Sequence, residues 1–174
     1  RHLVKEGENT VTLEPSGEGN LAYQIVAVHY LPWQEEPLPE NQPLTIDVTY
    51  DAKTLKVDDT LGVKVKLEYH RNDVADMTLV DLGIPPGFAV MPEYFQGLKD
   101  EGIIEKYSMN GRQVTLYFRE ISSEQPIEFS YELKAKFPVK AKTPKSTAYQ
   151  YYEPEIRAEA QPVEIEVAKV ASID

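Results

Sequence analysis

LGVKVKLEY, residues 61–69, is the most regular stretch of the sequence. Leucine, valine or tyrosine occupies every second position from Leu61 to Tyr69, and lysine, glutamate or glycine lies between them. Successive side chains of a β-strand point to opposite faces, so the apolar side chains share one face and the charged ones share the other. The stretch therefore predicts a strand with one face in a core and the other in water.

The same period of two recurs along most of the chain. Residues 44–50 (LTIDVTY) also alternate between apolar and polar side chains. Further strands are predicted at 10–13, 21–31, 77–84, 114–119, 127–136, 148–152 and 163–167, and residues 56–59 are predicted as a short strand end and turn. Seven to nine short strands separated by turn residues are typical of a sandwich, so we predict an all-β fold, an antiparallel β-sandwich.

One segment near residues 91–100 breaks this period. Pro92 suits the first turn of a helix, and Phe95 and Leu98 fall on one side of it. Gly102 follows as a stop signal. We predict a short helix inserted between two strands.

A proline-rich stretch divides the chain. Residues 32–43 contain four prolines and three glutamates around Trp33. Proline fixes φ and cannot donate to a ladder, which predicts a linker. We therefore expect one module at 1–33, a linker at 34–43 and a sandwich at 44–174.

Composition excludes several functions. The net charge of −11 would repel nucleic acid and anionic membranes, and no apolar stretch is long enough to insert into a bilayer. The chain has no cysteine, hence no thiolate nucleophile, zinc–thiolate site or iron–sulfur cluster. It begins at Arg1 without methionine, which suggests a piece of a longer protein.

Catalytic motifs are absent from the sequence. His2, His29 and His70 stand apart, without metal-binding spacing. Asp73 and Asp76 could attract calcium but lack the dense series of oxygen ligands that a calcium loop supplies. We therefore predict no enzyme, metal or cofactor. A hydrolase would require a cleft with converging acids.

Lysines concentrate late in the acidic chain, at Lys134, Lys136, Lys140, Lys142 and Lys145. Such residues commonly form a solvated strand face that protects an edge. Alternatively, they form a docking patch for an acidic neighbouring domain.

The tyrosines at residues 149–152 also have two interpretations. They could form a carbohydrate platform, with Tyr149 and Tyr151 on one face. Core packing of a strand that Pro154 ends is the favoured interpretation.

Three ordered blocks resemble a known family. They are MTLVDLGIPPGF at 77–88, VTLYFREIS at 114–122, and KFPV at 136–139 with YQYYEPE at 149–155. Together, over about residues 42–168, they resemble the C-terminal receptor-binding domain of the alpha-2-macroglobulin family, which includes complement and thioester-containing proteins.

The resemblance carries further expectations. It implies that residues 1–33 are the closing strands of a preceding CUB-type domain. The family thioester requires cysteine, so it cannot lie in this chain. The positions that match the receptor-recognition lysines of vertebrate members are Pro92 and Gln96, which are not basic, and Lys99 is the nearest lysine. Endocytic-receptor binding is therefore not carried over.

The resemblance implies a non-catalytic binding and structural module of a large extracellular or periplasmic protein, expected to be bacterial. Its role would lie in protease inhibition or surface defence. The expected partners are neighbouring domains of the parent chain and, as an alternative, a protease or surface protein. Candidate interaction residues are Lys99, Lys134, Lys136, Lys140 and Lys142. The alternative is a free-standing adhesin or carbohydrate-binding sandwich.

Overall fold

The computed structural model describes residues 7–19, 22–24, 26 and 42–169. The chain divides into two units, Arg1–Glu36 and Pro37–Asp174. The described residues of the first unit carry no strand, and Val11 and Leu13 are exposed. The strand predicted at 10–13 is therefore wrong: alternation alone makes no strand unless a partner supplies hydrogen bonds and cover.

Other predictions about the first part of the chain fall mostly outside the described residues. Of the strand predicted at 21–31, residues 22–24 and 26 are described, and none of them is in a strand. Of the linker predicted at 34–43, only residues 42 and 43 are described. The domain boundaries and the CUB-type assignment stay predictions.

The second unit contains twelve strands and one helix among its described residues. They are β1 (Leu44–Tyr50), β2 (Thr54–Lys56), β3 (Thr60–Tyr69), β4 (Val74–Gly83), β5 (Phe88–Val90), α1 (Pro92–Asp100), β6 (Lys106–Asn110), β7 (Gln113–Ser122), β8 (Ile127–Ala135), β9 (Val139–Lys142), β10 (Thr147–Gln150), β11 (Arg157–Glu159) and β12 (Glu164–Ala168). The predicted all-β fold is confirmed, with more strands than the seven to nine expected.

These strands form three sheets. A four-stranded sheet has the order β1-β3-β8-β5, a five-stranded sheet has the order β11-β10-β4-β7-β6, and β2-β12-β9 form a small third sheet. Pairing is antiparallel except between β2 and β12. Strand β1 contacts β10 and β11, and β3 contacts β7, so the two larger sheets face each other as a sandwich.

The core lies between the two larger sheets. The alternating apolar side chains of β3, from Leu61 to Tyr69, are all buried, as the opening pattern predicted. Val114, Leu116 and Phe118 of β7 are buried from the opposite sheet. One apolar cluster therefore supports both sheets.

Helix α1 links the two sheets. It starts with Pro92 in its first turn, and Gly102 just beyond its end adopts φ 73°, the left-handed conformation that glycine tolerates. The Phe95 ring lies 5.2 Å from the Tyr131 ring of β8 and 6.0 Å from the Tyr107 ring of β6. The predicted helix is confirmed, and it packs against one strand of each sheet.

The carboxylate of Glu159 makes the stability of the fold depend on pH. Lys145 Nζ donates to it at 2.7 Å and Arg157 also donates, and together they hold the Glu159 pKa below its usual value. A depressed folded pKa stabilises the fold above the unfolded pKa, and this stability is lost as pH falls through the folded pKa. Because the pair is partly exposed, we expect it to contribute at most about 1 kcal/mol.

Glu159→Gln should therefore lower stability at neutral pH and flatten its acid-side decline. Urea unfolding at a series of pH values measures this. Glu105→Gln is the control, because the Glu105–Arg119 pair is far more exposed and should contribute less. An acid-side decline that is unchanged in Glu159→Gln would contradict the assignment.

Candidate functional site

The outer faces of the two large sheets differ in chemistry. On the four-stranded sheet, Lys64 pairs with Glu128 at 2.8 Å and Lys66 pairs with Glu68 at 2.9 Å, all partly exposed. This is a solvated, charge-paired surface. The five-stranded sheet instead presents aromatic and apolar side chains on its outer face.

The strand register assembles this second surface. One row of laterally paired residues crosses all five strands, namely Arg157, Tyr149, Leu79, Tyr117 and Lys106. Met77, Arg119, Tyr151 and Tyr152 lie next to this row along the chain. We call Met77, Leu79, Tyr117, Tyr149, Tyr151 and Tyr152, with Lys106 and Arg119, the tyrosine face.

A groove of about 780 Å³ runs over the tyrosine face. It is lined by Met77, Leu79, Glu105, Lys106, Tyr117, Arg119, Tyr151 and Tyr152. This size is in the range of ligand clefts. The groove is open to solvent and combines apolar walls with charged side chains.

Tyr151 and Tyr152 project from the end of β10. They are 60% and 73% exposed, so the prediction that this run packs in the core is wrong for both. Strand β10 ends at Gln150, and the chain bends before Pro154, so alternation no longer directs these rings inward. Their rings lie 5.2 Å apart at 88°, edge to face rather than as a coplanar row.

Met77 holds an unusual backbone conformation within this face. Its φ of 45° is left-handed, which costs a side-chain-bearing residue roughly 1–2 kcal/mol. Its carbonyl accepts a hydrogen bond from Tyr151 N at 2.9 Å, and its side chain is 37% exposed. Strain of this kind concentrates at functional sites.

The inward-facing positions shift at the same place in both paired strands. In β4 the buried residues Ala75 and Thr78 are three positions apart instead of the usual two, and in β7 the same is true of Phe118 and Ile121. Two neighbouring residues of each strand are exposed between them, including Met77 and Arg119. The irregularity therefore turns both side chains toward the groove.

Charged groups border the apolar centre. Lys106 Nζ lies 5.2 Å from the centre of the Tyr117 ring, in a cation–π contact. Arg119 Nε donates to Glu105 at 2.7 Å and lowers the pKa of that carboxyl. Glu105 is thus ionised at neutral pH, whereas a general acid needs a raised pKa. The groove thus offers both cationic and anionic contacts beside its apolar residues.

The part of the chain that the structure describes holds no cluster of metal ligands. No three of its histidine, aspartate or glutamate side chains lie closely enough together to hold a metal ion, and this includes Asp73 and Asp76. Among those same residues, no helix has the length and apolarity needed to cross a membrane.

Comparison with known families decides the relationship. Residues 73–162, just over half of the chain, match the profile of the A-macroglobulin receptor binding domain. The chain belongs to this family. The predicted resemblance is confirmed. No curated protein sequence matches the chain.

Solved bacterial macroglobulins share the receptor-binding-domain fold. Native Escherichia coli alpha-2-macroglobulin from domain MG7 to the C-terminus matches with a TM-score of 0.65 and 18% identity, over 77% of this chain and 25% of that one. The trypsin-activated E. coli protein matches with a TM-score of 0.62 and 18% identity, over 75% of this chain and 11% of that one. Salmonella alpha-2-macroglobulin reacted with methylamine matches with a TM-score of 0.63 and 15% identity, over 76% of this chain and 10% of that one. The chain thus spans a quarter or less of these proteins.

The predicted lysines of this receptor-binding domain lie on different elements. Lys99 is exposed on α1, and Lys136 is exposed just after β8. Lys134 Nζ donates to the Asp58 carbonyl. On β9, Lys140 Nζ lies 3.4 Å from Glu164 and 3.9 Å from Glu166, and Lys142 is exposed. Their role in interactions stays a prediction.

The two helix positions matched to the vertebrate receptor lysines also have structural roles. Pro92 occupies the first turn of α1. Gln96 Nε2 donates to Asp100 at 2.7 Å, and the Tyr107 hydroxyl donates to Gln96 Oε1 at 3.3 Å. This helix surface therefore presents no cation at either position.

Most of the tyrosine face was missed from the sequence. Its groove is lined by residues 77–79, 105–106, 117–119 and 151–152, which are separated by long stretches of chain. The available signal in β4 was weak: Met77 and Asp81 alternate with the buried Thr78, Val80 and Leu82, but Leu79 between them is buried as well. That pattern indicates an outer face but does not say which strands lie beside it.

Proposed function

We propose that this receptor-binding domain is a non-catalytic docking module of a large macroglobulin-like protein, with a role in protease inhibition or surface defence. The tyrosine face binds a neighbouring domain of the same parent chain. The parent protein is extracellular or periplasmic and of bacterial origin.

The observation that carries this proposal is the exposed tyrosine pair beside the groove. Aromatic residues with a polar tip are enriched at protein interfaces, where they bury a large area at low entropic cost. Tyr151 and Tyr152 extend over an apolar floor that includes Leu79 and Met77. An exposed surface of this composition is typical of a docking site.

Two further features support docking. The outer face of the other large sheet carries lysines and glutamates that pair with one another, so it differs in chemistry from the tyrosine face. The rim residue Lys106 lies over Tyr117, where its ammonium can donate a hydrogen bond to a carboxylate of a partner while it stays in contact with the ring. A partner with an apolar ridge and a nearby acidic side chain fits this surface.

Photo-crosslinking of the parent protein tests the proposal. With p-benzoylphenylalanine in place of Tyr152, we expect an intramolecular crosslink to a peptide from a neighbouring domain, located by mass spectrometry. The matched control places the same group at Asp47, which is exposed on the outer face of the four-stranded sheet. Equal crosslinking at both positions, or none at position 152, would overturn the proposal.

A paired substitution separates docking from folding. Tyr151→Ser with Tyr152→Ser should change the unfolding free energy of this chain by less than about 1 kcal/mol, because both rings are largely exposed. In the parent protein, the same change should weaken domain docking by about 1–3 kcal/mol, seen as faster limited proteolysis between domains. Unchanged proteolysis would argue against the tyrosine face as the docking surface.

The carbohydrate-binding alternative has a distinct outcome. A sugar platform would show shifts of the Tyr151 and Tyr152 NMR signals with oligosaccharides added to this chain alone. The edge-to-face angle of 88° between the rings does not offer the flat aromatic surface that stacks on a sugar ring.

A further inference from the structure

The turn between β6 and β7 joins an asparagine to a glycine. Asn110 pairs with Gln113, which leaves Gly111 and Arg112 as a two-residue loop. Asn110, Gly111 and Arg112 are all exposed. Asn110 is also the only asparagine in the sequence that is followed by glycine.

The Asn110 side chain is folded back along its own backbone. Arg112 N donates a hydrogen bond to Asn110 Oδ1 at 3.2 Å, closing a ring that includes the Asn110–Gly111 peptide. The carboxamide is therefore held near the peptide nitrogen of Gly111. A donor on Oδ1 also stabilises negative charge as it develops there, which makes Cγ more open to attack.

Nothing in the turn requires glycine at position 111. A Cβ added to Gly111 would meet no atom within 4 Å, and its φ lies outside the left-handed region. The absence of a side chain has one chemical effect here: the peptide nitrogen of Gly111 is unhindered as a nucleophile.

We propose that Asn110 is a site of spontaneous deamidation. The Gly111 nitrogen loses its proton and attacks Asn110 Cγ, forming a new C–N bond. The bond from Cγ to the side-chain nitrogen breaks, and ammonia leaves with the proton. The product is a five-membered succinimide, which one water molecule opens at either carbonyl to yield aspartate or isoaspartate. No oxidant, reductant or cofactor takes part.

The modification changes the end of one hairpin. It adds a carboxylate next to Arg112, and isoaspartate inserts one extra backbone carbon into the turn. The nearby Met109–Val114 pairing must then adjust. Lys106 of the tyrosine face contacts Tyr117, and Tyr107 contacts Phe95 of α1. Both lie at the other end of β6 and should keep their positions.

Peptide mapping of the folded chain after prolonged incubation in warm, mildly alkaline buffer tests this proposal. We expect the Asn110 peptide to convert to aspartate and isoaspartate forms at least about tenfold more than the peptide with Asn72, which is exposed but followed by Asp73. Ammonia release should match the conversion. Equal conversion at the two positions, or none at Asn110, would overturn it.

Gly111→Ala is the matched variant. The structure has room for the methyl group, so the variant should fold as the unsubstituted chain does. The added Cβ nevertheless hinders the attacking nitrogen. Conversion at Asn110 should fall about tenfold or more. If the folded variant, verified by its thermal transition, converts as fast as the original chain, the proposed route is wrong.

Discussion

Phe95→Ala is expected to lower the free energy of unfolding by about 3–5 kcal/mol. The Phe95 side chain is fully buried and contacts the rings of Tyr131 and Tyr107. These two tyrosines belong to different sheets, so the cavity would open where α1 joins them. Urea denaturation followed by circular dichroism measures the loss.

Lys99→Ala is the control on the same helix. Lys99 is exposed, and alanine is a good helix former, so the change should stay within about 0.5 kcal/mol. If Phe95→Ala costs less than about 1 kcal/mol, α1 is not the packed link between the sheets that the structure shows.

Gly83→Ala is expected to destabilise the fold by about 1–3 kcal/mol or more. The added Cβ would lie 2.7 Å from Pro144 Cβ and 2.8 and 2.9 Å from the carbonyl oxygens of Pro144 and Lys145. The strand cannot easily move away, because Gly83 N donates to the buried Ser146 Oγ at 3.1 Å. Thermal and chemical unfolding both report this overpacking.

Gly97→Ala should change the stability in the opposite direction to Gly83→Ala. Gly97 lies within α1 and has no atom within 4 Å of an added Cβ, so alanine should stabilise the helix by about 0.5–1 kcal/mol. The same substitution at two positions therefore distinguishes the steric cost of a closely approached backbone at Gly83 from the gain in helix propensity at Gly97. A stability loss of similar size at both positions would contradict this explanation.

Strands buried on one face were predictable from the sequence. Strands β1, β3, β7 and β8 carry long runs in which apolar residues alternate with polar ones, and the structure places each run as predicted. The helix was predictable for a different reason: Pro92 and Gly102 are local signals whose effect on φ does not depend on the rest of the fold.

Other strands could not be predicted in this way. Strands β5 and β11 have three residues each, and β6 is exposed at four of its five positions, so none of them carries a usable alternation. They are strands because their backbones pair with those of neighbouring strands, β5 with β8, β11 with β10 and β6 with β7. The reverse holds at residues 10–13, where the pattern is present and the described structure has no strand.

The candidate site shows the same division. Lys134, Lys136, Lys140 and Lys142 were chosen because they are close in sequence, yet the structure divides them between β8, β9 and the residues between, since β8 and β9 enter different sheets. Tyr151 and Tyr152 were expected in the core, because sequence alternation cannot show that β10 stops at Gln150.

Periodicity and turn residues act over a few neighbours, so they determined the all-β class, the strands with long alternating runs and the helix. The ordered motifs then determined the receptor-binding-domain family. The tyrosine face was decided only by tertiary structure, because strand order and register bring residue pairs such as Leu79 and Tyr117 side by side across long stretches of chain. That long-range pairing is a property of the packed sandwich, and no local pattern encodes it.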